Sequence, residues 1–145
     1  MSRRVDLTRI YHFNAAHRLY HPRRDDRWNH RIFGKCSNPD GHGHNYLLEV
    51  TVRGVPDPDT GWVYPLELLD RQVHELVIEP FDHHNLNVVL EREGDIPPTS
   101  EVFVVAIWRQ LEQAIASPTR LHRLKLWETE RNTFEYWGPE RSRAG

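Results

Sequence analysis

The sequence predicts an α+β fold, with an antiparallel four-stranded sheet carrying two helices on one face. Three observations lead there. Apolar and polar residues alternate with period two near both ends of the chain, the pattern of half-buried strands. Apolar residues recur at helical spacing in two central segments. Strands grouped at the ends, rather than alternating with helices, favour an antiparallel sheet with its helices on one side.

Val5 to His17 is the first predicted strand. Its odd positions, Val5, Leu7, Arg9, Tyr11, Phe13, Ala15 and His17, should be buried, with Asp6, Thr8, His12 and Asn14 opposite. His21 to Arg31, crowded with Arg, Asp, His and Pro, reads as a solvated loop. Phe33 to Gly43 is rich in turn formers. A second strand follows from His44 to Arg53, with Tyr46, Leu48, Val50 and Val52 on one face. Gly54 to Gly61 is an acid- and proline-rich turn. Leu66, Leu69, Val73, Leu76 and Val77 predict a helix from Leu66 to Glu79, ended by Pro80. Asp82 to Asn87 reads as a polar loop. After Pro97 and Pro98, the stripe Val104, Ile107, Leu111, Ala114 and Ile115 predicts a second helix, from about Ser100 to Ala116. The last strands are predicted at Leu121 to Glu130 and Thr133 to Trp137. Residues 1–4 and 139–145 are expected to fray, and 1–145 to form a single domain.

Composition narrows the function classes. With 38% apolar residues in 145, the core is thin, and the sheet face without helices needs a cover, for which a second subunit serves. A formal charge of −2 lacks the basic footprint of a nucleic-acid binder. Cys36 is the single cysteine, so no internal disulfide forms, and a reducing compartment suits it. No apolar run approaches membrane-spanning length, and the basic start lacks a signal-peptide core. The expectation is a cytoplasmic protein without nucleic-acid or membrane partners.

Ten histidines stand out. His42 and His44, two apart, point the same way in an extended segment and share the parity of Tyr46, Leu48 and Val50. His17 is in phase with Phe13 and Ala15. Three imidazoles on inward-facing rows need a shared partner, because burying polar groups unpaired is costly. Three nitrogens with a fourth position open is the pattern of catalytic zinc. A lone His-x-His also occurs in turns, and the in-phase His17 is what favours the metal.

Other polar residues interrupt apolar rows. Glu128 continues the face of Leu124 and Leu126. A buried carboxylate requires a partner: either a ring presenting adjacent N–H donors or an internal salt bridge, for instance to a nearby arginine. Cys36, just before the histidine pair, is either an inert small residue or a thiolate base close to a metal. Asp82 and His83 are a candidate acid–base pair.

Together these segments resemble the family of 6-pyruvoyl-tetrahydropterin synthase and its relative 6-carboxy-tetrahydropterin synthase. Five motifs in order carry the likeness: FNAAHRL with His17, FGKCSNPDGHGHNY with Cys36, His42 and His44, PFDHHNLN with Asp82 and His83, PTSEVFVVAIWRQL with Thr99 and Glu101, and LWETERN with Glu128. The resemblance implies zinc held by His17, His42 and His44. It implies Cys36 as base, Asp82 and His83 as a catalytic relay, and Glu128, with Thr99 and Glu101, binding the pterin. It also implies the tunnelling fold, in which three subunits close their sheets into a barrel and two trimers stack into a homohexamer with active sites between subunits. The substrate implied is 7,8-dihydroneopterin triphosphate, with Arg18 and Lys35 as candidates for the triphosphate. Two positions depart from the family pattern: Val102 replaces a frequent asparagine, and Pro65 a frequent acid or amide.

The product expected is 6-pyruvoyl-tetrahydropterin. Five residues, Ser37 to Gly41, separate Cys36 from His42, as in the pyruvoyl-forming members. The alternatives are the carboxy-forming enzyme of queuosine biosynthesis, whose members tend to a shorter connection, and a zinc-stabilised binding module without turnover. The set Cys36, Asp82, His83 and Glu128 argues against the last.

Overall fold

A computed structural model describes residues 3–139. The expected fraying falls largely on residues 1–2 and 140–145, outside that range. Five strands form one mixed sheet in the order β3-β1-β2-β4-β5. They are β1 (Val5–His17), β2 (His42–Gly54), β3 (His84–Asn85), β4 (Arg120–Trp127) and β5 (Thr133–Tyr136). All neighbours are antiparallel except β1 and β3. The expected four-stranded antiparallel sheet is thus corrected by one short parallel strand. Its cause is local. The His83 N–H donates to the Asn14 carbonyl (2.6 Å), and the Asn14 N–H donates to Asp82 Oδ1 (2.9 Å). This clamp lays the next two residues alongside β1.

Period two holds along the long strands, except at the start of β1, where Val5 is exposed. Phe13, Ala15 and His17 of β1, and Tyr46, Leu48, Val50 and Val52 of β2, are buried. They join Leu121, Leu124 and Leu126 of β4 in one core. The helices α2 (Leu66–Val73) and α5 (Ser100–Leu111) pack on this face through Leu69, Val73, Phe103, Val104, Ile107 and Leu111. Arg9, the charged member of its row, reaches Asp70 of α2 with two hydrogen bonds (3.0 and 2.9 Å), and Tyr11 donates to the same carboxylate (2.7 Å).

Three segments differ from the expected helices and loops. The segment read as a solvated loop contains most of α1 (Asp26–Phe33). Asp25 caps it by accepting from the Trp28 N–H, and Gly34, at φ 56°, ends it. Inside, Asn29 is buried and makes four hydrogen bonds, to both backbone groups of His21 and to the carbonyls of Arg24 and Asp25. Polar contacts hold this helix, so no apolar stripe announces it. Pro80 does not end the helix predicted from Leu66 to Glu79. A π turn (His74–Ile78) follows α2, and α3 (Glu79–Phe81) carries the chain past the proline. A proline ring clashes with the carbonyl four residues back in a regular helix, and a wider turn relieves that contact. The short α4 (Leu86–Val89) completes the segment read as a polar loop.

Among the described residues, the opposite sheet face is largely polar and lies outside the apolar core. Glu49 accepts from Arg123 (3.2 Å) and from Trp127 Nε1 (2.7 Å). Glu135 pairs with Arg123 and Lys125 (3.3 and 3.6 Å), and Thr8 meets Thr51 at 2.7 Å. Among the described residues, β1 pairs with β2 and, over two residues, with β3, and β5 forms the other edge. Among the described residues, no helix is long and apolar enough to cross a membrane.

Candidate functional site

The site lies where β1 ends and β2 begins. The antiparallel register sets His17 directly opposite His42 and Ala15 opposite His44. Shared parity turns all three imidazoles to the core face. Their centroids are 4.6 Å (His17–His42), 5.1 Å (His17–His44) and 4.8 Å (His42–His44) apart, with ring planes at 71–90°. One nitrogen from each lies within 4.8 Å of the other two.

The surroundings prepare these nitrogens. His17 Nδ1 lies 2.9 Å from the Pro98 carbonyl oxygen, which can only accept, so Nδ1 carries the hydrogen. In the neutral ring this leaves Nε2 with its lone pair facing His42 Nε2 at 3.0 Å. Burial lowers the pKa of His17 below the usual histidine value, outweighing the Pro98 hydrogen bond. Burial also lowers His44, against the opposing charge of Glu128. Nitrogen ligands about 2.0–2.1 Å from a tetrahedral ion lie about 3.4 Å from one another. The triad spans that spacing, and a three-nitrogen set without thiolate suits a borderline cation. These residues therefore fit a metal.

Glu128 stands one residue beyond β4, where its N–H donates to the Asn132 carbonyl (3.1 Å) and the chain turns toward β5. The expected strand to Glu130 stops at Trp127 because of this turn. Glu128 keeps the parity of Leu126 and remains largely buried. Its partners are Ser100 Oγ, which donates to Oε2 at 2.5 Å, and His44, whose Nε2 lies 3.9 Å away. Among the described residues no arginine pairs with it, and the internal ion pair the sequence allowed is with His44 when that ring is protonated. The carboxylate stands beside the triad.

Cys36 lies in a 3-10 turn, Gly34–Ser37, between α1 and β2, partly exposed. Its carbonyl accepts the Leu19 N–H (2.8 Å), which ties the turn to the chain two residues beyond His17. Gly41 closes the same loop at φ 71°, where an added Cβ would lie 3.0 Å from the His17 carbonyl oxygen. Asp82 and His83 do form a pair, Nδ1 to Oδ1 at 3.0 Å. The Asn14 hydrogen bond, more than His83, lowers the pKa of Asp82. His83 is exposed, at φ 60°, a conformation uncommon outside glycine, and shares an open cavity of about 540 Å³ with His44 and Gly43. Cys36 is not among the residues lining that cavity.

The remaining candidates divide. Thr99 caps α5, accepting from the Val102 N–H (3.3 Å), while Glu101 is exposed in the first turn. Val102 packs against the core. The Arg18 guanidinium is engaged, donating to the Ser37 carbonyl (2.8 Å) and lying 4.1 Å over the Tyr20 ring. Lys35 is exposed. Sequence reasoning missed Pro98, whose carbonyl selects the His17 tautomer, and Ser100. Nothing in the sequence marks a carbonyl, but Ser100 was legible: it shares the helical phase of Val104, Ile107 and Leu111.

The chain matches the family model described as 6-pyruvoyl tetrahydropterin synthase over residues 6–139. It is 40% identical over 134 residues to the 6-pyruvoyl tetrahydrobiopterin synthase of Pongo abelii, covering 92% of each chain. It is also 40% identical over 139 residues to that of Dictyostelium discoideum, covering 95% of this chain and 99% of the other. Its fold matches the solved Caenorhabditis elegans 6-pyruvoyl tetrahydropterin synthase with a TM-score of 0.87 and 36% identity, over 95% of this chain and 98% of that one.

Proposed function

Since the chain belongs to the 6-pyruvoyl tetrahydropterin synthase family, we propose that it converts 7,8-dihydroneopterin triphosphate to 6-pyruvoyl-tetrahydropterin with release of triphosphate. The observation that carries this reading is the position of Glu128 3.9 Å from His44 Nε2. A carboxylate able to take the paired N–H donors of a pterin edge stands next to three nitrogens able to hold an ion. The carboxylate and the three imidazoles side by side give a polar, hydroxylated substrate two points of attachment.

In this reading His17, His42 and His44 hold Zn²⁺, which supplies Lewis-acid polarisation of the side-chain oxygens when bound. The residues do the rest. Glu128 orients the ring, with Thr99 and Glu101 at the neighbouring helix start as further pterin contacts. Cys36 takes a proton from the side chain, and the Asp82–His83 pair returns one. Of the two triphosphate candidates, Lys35 has its ammonium in solvent, whereas the guanidinium of Arg18 already serves the loop. The single cysteine and the family's small-molecule chemistry suit a cytoplasmic enzyme.

The product is the decisive test. Incubation with 7,8-dihydroneopterin triphosphate should yield 6-pyruvoyl-tetrahydropterin by mass spectrometry, without acetaldehyde. The five-residue link between Cys36 and His42 sets where the sulfur sits, and displacement by about an ångström costs on the order of a hundredfold in rate. If acetaldehyde and 6-carboxy-tetrahydropterin dominate, the carboxy-forming reading replaces this one. If nothing is turned over by zinc-loaded protein, the binding-module reading does.

The polar sheet face and the edges of β1 and β5 support assembly into barrel-forming trimers stacked as a hexamer, with active sites between subunits. Unpaired strand edges invite pairing with another chain. Sedimentation at micromolar concentration should show one species of about six chains. A monomer there would contradict the assembly.

A further inference from the structure

Arg18 directly follows His17, and its backbone and side chain serve different neighbours. Its N–H donates to Asn87 Oδ1 (2.7 Å), and its carbonyl accepts from Asn87 Nδ2 (2.9 Å). A side-chain amide carries an acceptor and a donor on adjacent atoms, so Asn87 gives Arg18 the two hydrogen bonds that a neighbouring strand would give. The parallel pairing of β1 with β3 stops at Ala16 opposite Asn85, and Asn87 extends it by side chain to Arg18. Asn87 is itself held, because its N–H donates to Asn85 Oδ1 (2.9 Å).

The side chain of Arg18 goes to the Cys36 turn. Nε donates to the Ser37 carbonyl (2.8 Å), and the guanidinium lies 4.1 Å over the Tyr20 ring. A planar guanidinium bonded at one edge and stacked on a ring has a fixed direction. Beside it, the Leu19 N–H donates to the Cys36 carbonyl (2.8 Å). Two consecutive carbonyls of the turn, those of Cys36 and Ser37, are therefore held by the two residues that follow His17. One such bond would leave the turn free to tilt about it, and the second removes that freedom.

We propose that Arg18, anchored by Asn87, is a positioning residue for Cys36: it braces the Cys36 turn against the end of β1 and so fixes the sulfur relative to the triad. The inference rests on the reading of Cys36 as the base. A base must stand within hydrogen-bond reach of the proton it takes, and the brace sets that reach from the same stretch of chain that carries His17. This role differs from a triphosphate contact, which would hold the substrate and leave the sulfur where it is.

The test is steady-state turnover of 7,8-dihydroneopterin triphosphate, with zinc content and the rate of alkylation by iodoacetamide measured on the same zinc-loaded proteins. Cys36 is the single cysteine, so alkylation reports that sulfur alone. Misplacing the base should make Arg18→Ala lose about tenfold to a hundredfold in kcat, with kcat/KM falling equally. Arg18→Lys, which keeps a donor without the planar stack, should fall between that variant and the wild type. Alkylation of Arg18→Ala should be several times faster, because a loosened turn exposes a thiol that is now only partly exposed. Asn87→Ala leaves the guanidinium in place and should shift kcat and alkylation in the same directions by about fivefold, which carries the test if Arg18→Ala does not fold. Zinc content should hold throughout. In a Cys36→Ala background, Arg18→Ala should have little further effect on turnover, because its action passes through the sulfur. A raised KM with unchanged kcat would make Arg18 a substrate contact and overturn the brace. Alkylation at the wild-type rate, or a loss that adds in full to that of Cys36→Ala, would overturn it as well. A Cys36→Ala protein that turns over like the wild type overturns the reading of Cys36 as base, and this inference with it.

Discussion

His44→Ala is expected to lose most of its bound zinc, from one ion per chain in the wild type, and to lose turnover on the order of a thousandfold. The magnitude follows from the several kcal/mol that a Lewis acid contributes to a charge-developing step, at about 1.4 kcal/mol per tenfold in rate. His44 is a better probe than His17. The His17 side chain is 1% exposed and bonded to the Pro98 carbonyl, so its loss would leave a cavity and an unpaired acceptor together. His44 sits nearer the surface, and its removal should leave the core intact. That core, with Phe13, Leu48, Val50, Phe103 and Ile107, closes without the triad. The register of β1 on β2, running from Val5 opposite Gly54 to His17 opposite His42, presents the three rings by itself. Chelation should therefore strip the ion while leaving the far-ultraviolet circular dichroism nearly unchanged. Elemental analysis is the check, and an unaltered zinc content in His44→Ala would remove His44 from the ligand set.

Cys36→Ala should keep its zinc and its fold and lose about a hundredfold to ten-thousandfold in kcat, the usual range for a general base. The structural part of this expectation comes from the backbone. What ties the 3-10 turn to the strand end is the Cys36 carbonyl accepting the Leu19 N–H at 2.8 Å, and alanine retains it. The turn also keeps the Gly41 closure against the His17 carbonyl. Only the sulfur is removed, so a loss of rate with intact zinc isolates its chemistry. The assignment is falsified if turnover stays near wild type. Loss of zinc would instead make Cys36 a ligand.

Legibility differed from residue to residue, and period explains much of it. Strand parity alone put His17 with Phe13 and Ala15, and His42 and His44 with Tyr46 and Leu48, because side chains alternate strictly along a strand. The helical stripes of α2 and α5 were readable for the same reason. The helix α1 left no such trace, since Asn29 and its four hydrogen bonds take the place of an apolar stripe. Yet Asp25 and Gly34 were end signals that local chemistry does provide. A strand of two residues, β3, is shorter than any period and arises only because Asp82 and His83 clamp Asn14.

For Glu128 the division is sharpest. Its phase with Leu124 and Leu126 showed, without any structure, that a carboxylate goes inward and requires partners. Which partners it meets was left to the tertiary structure. Ser100 lies 28 residues away and His44 is on another strand, and only the order β1-β2-β4, with α5 laid across it, brings them together. Phase is a short-range property of backbone geometry, and so a sequence determines which side chains turn inward. Partnership depends on register and topology, set by the closing of the whole core, and so only the fold decided that three histidines, a serine and a glutamate share one site.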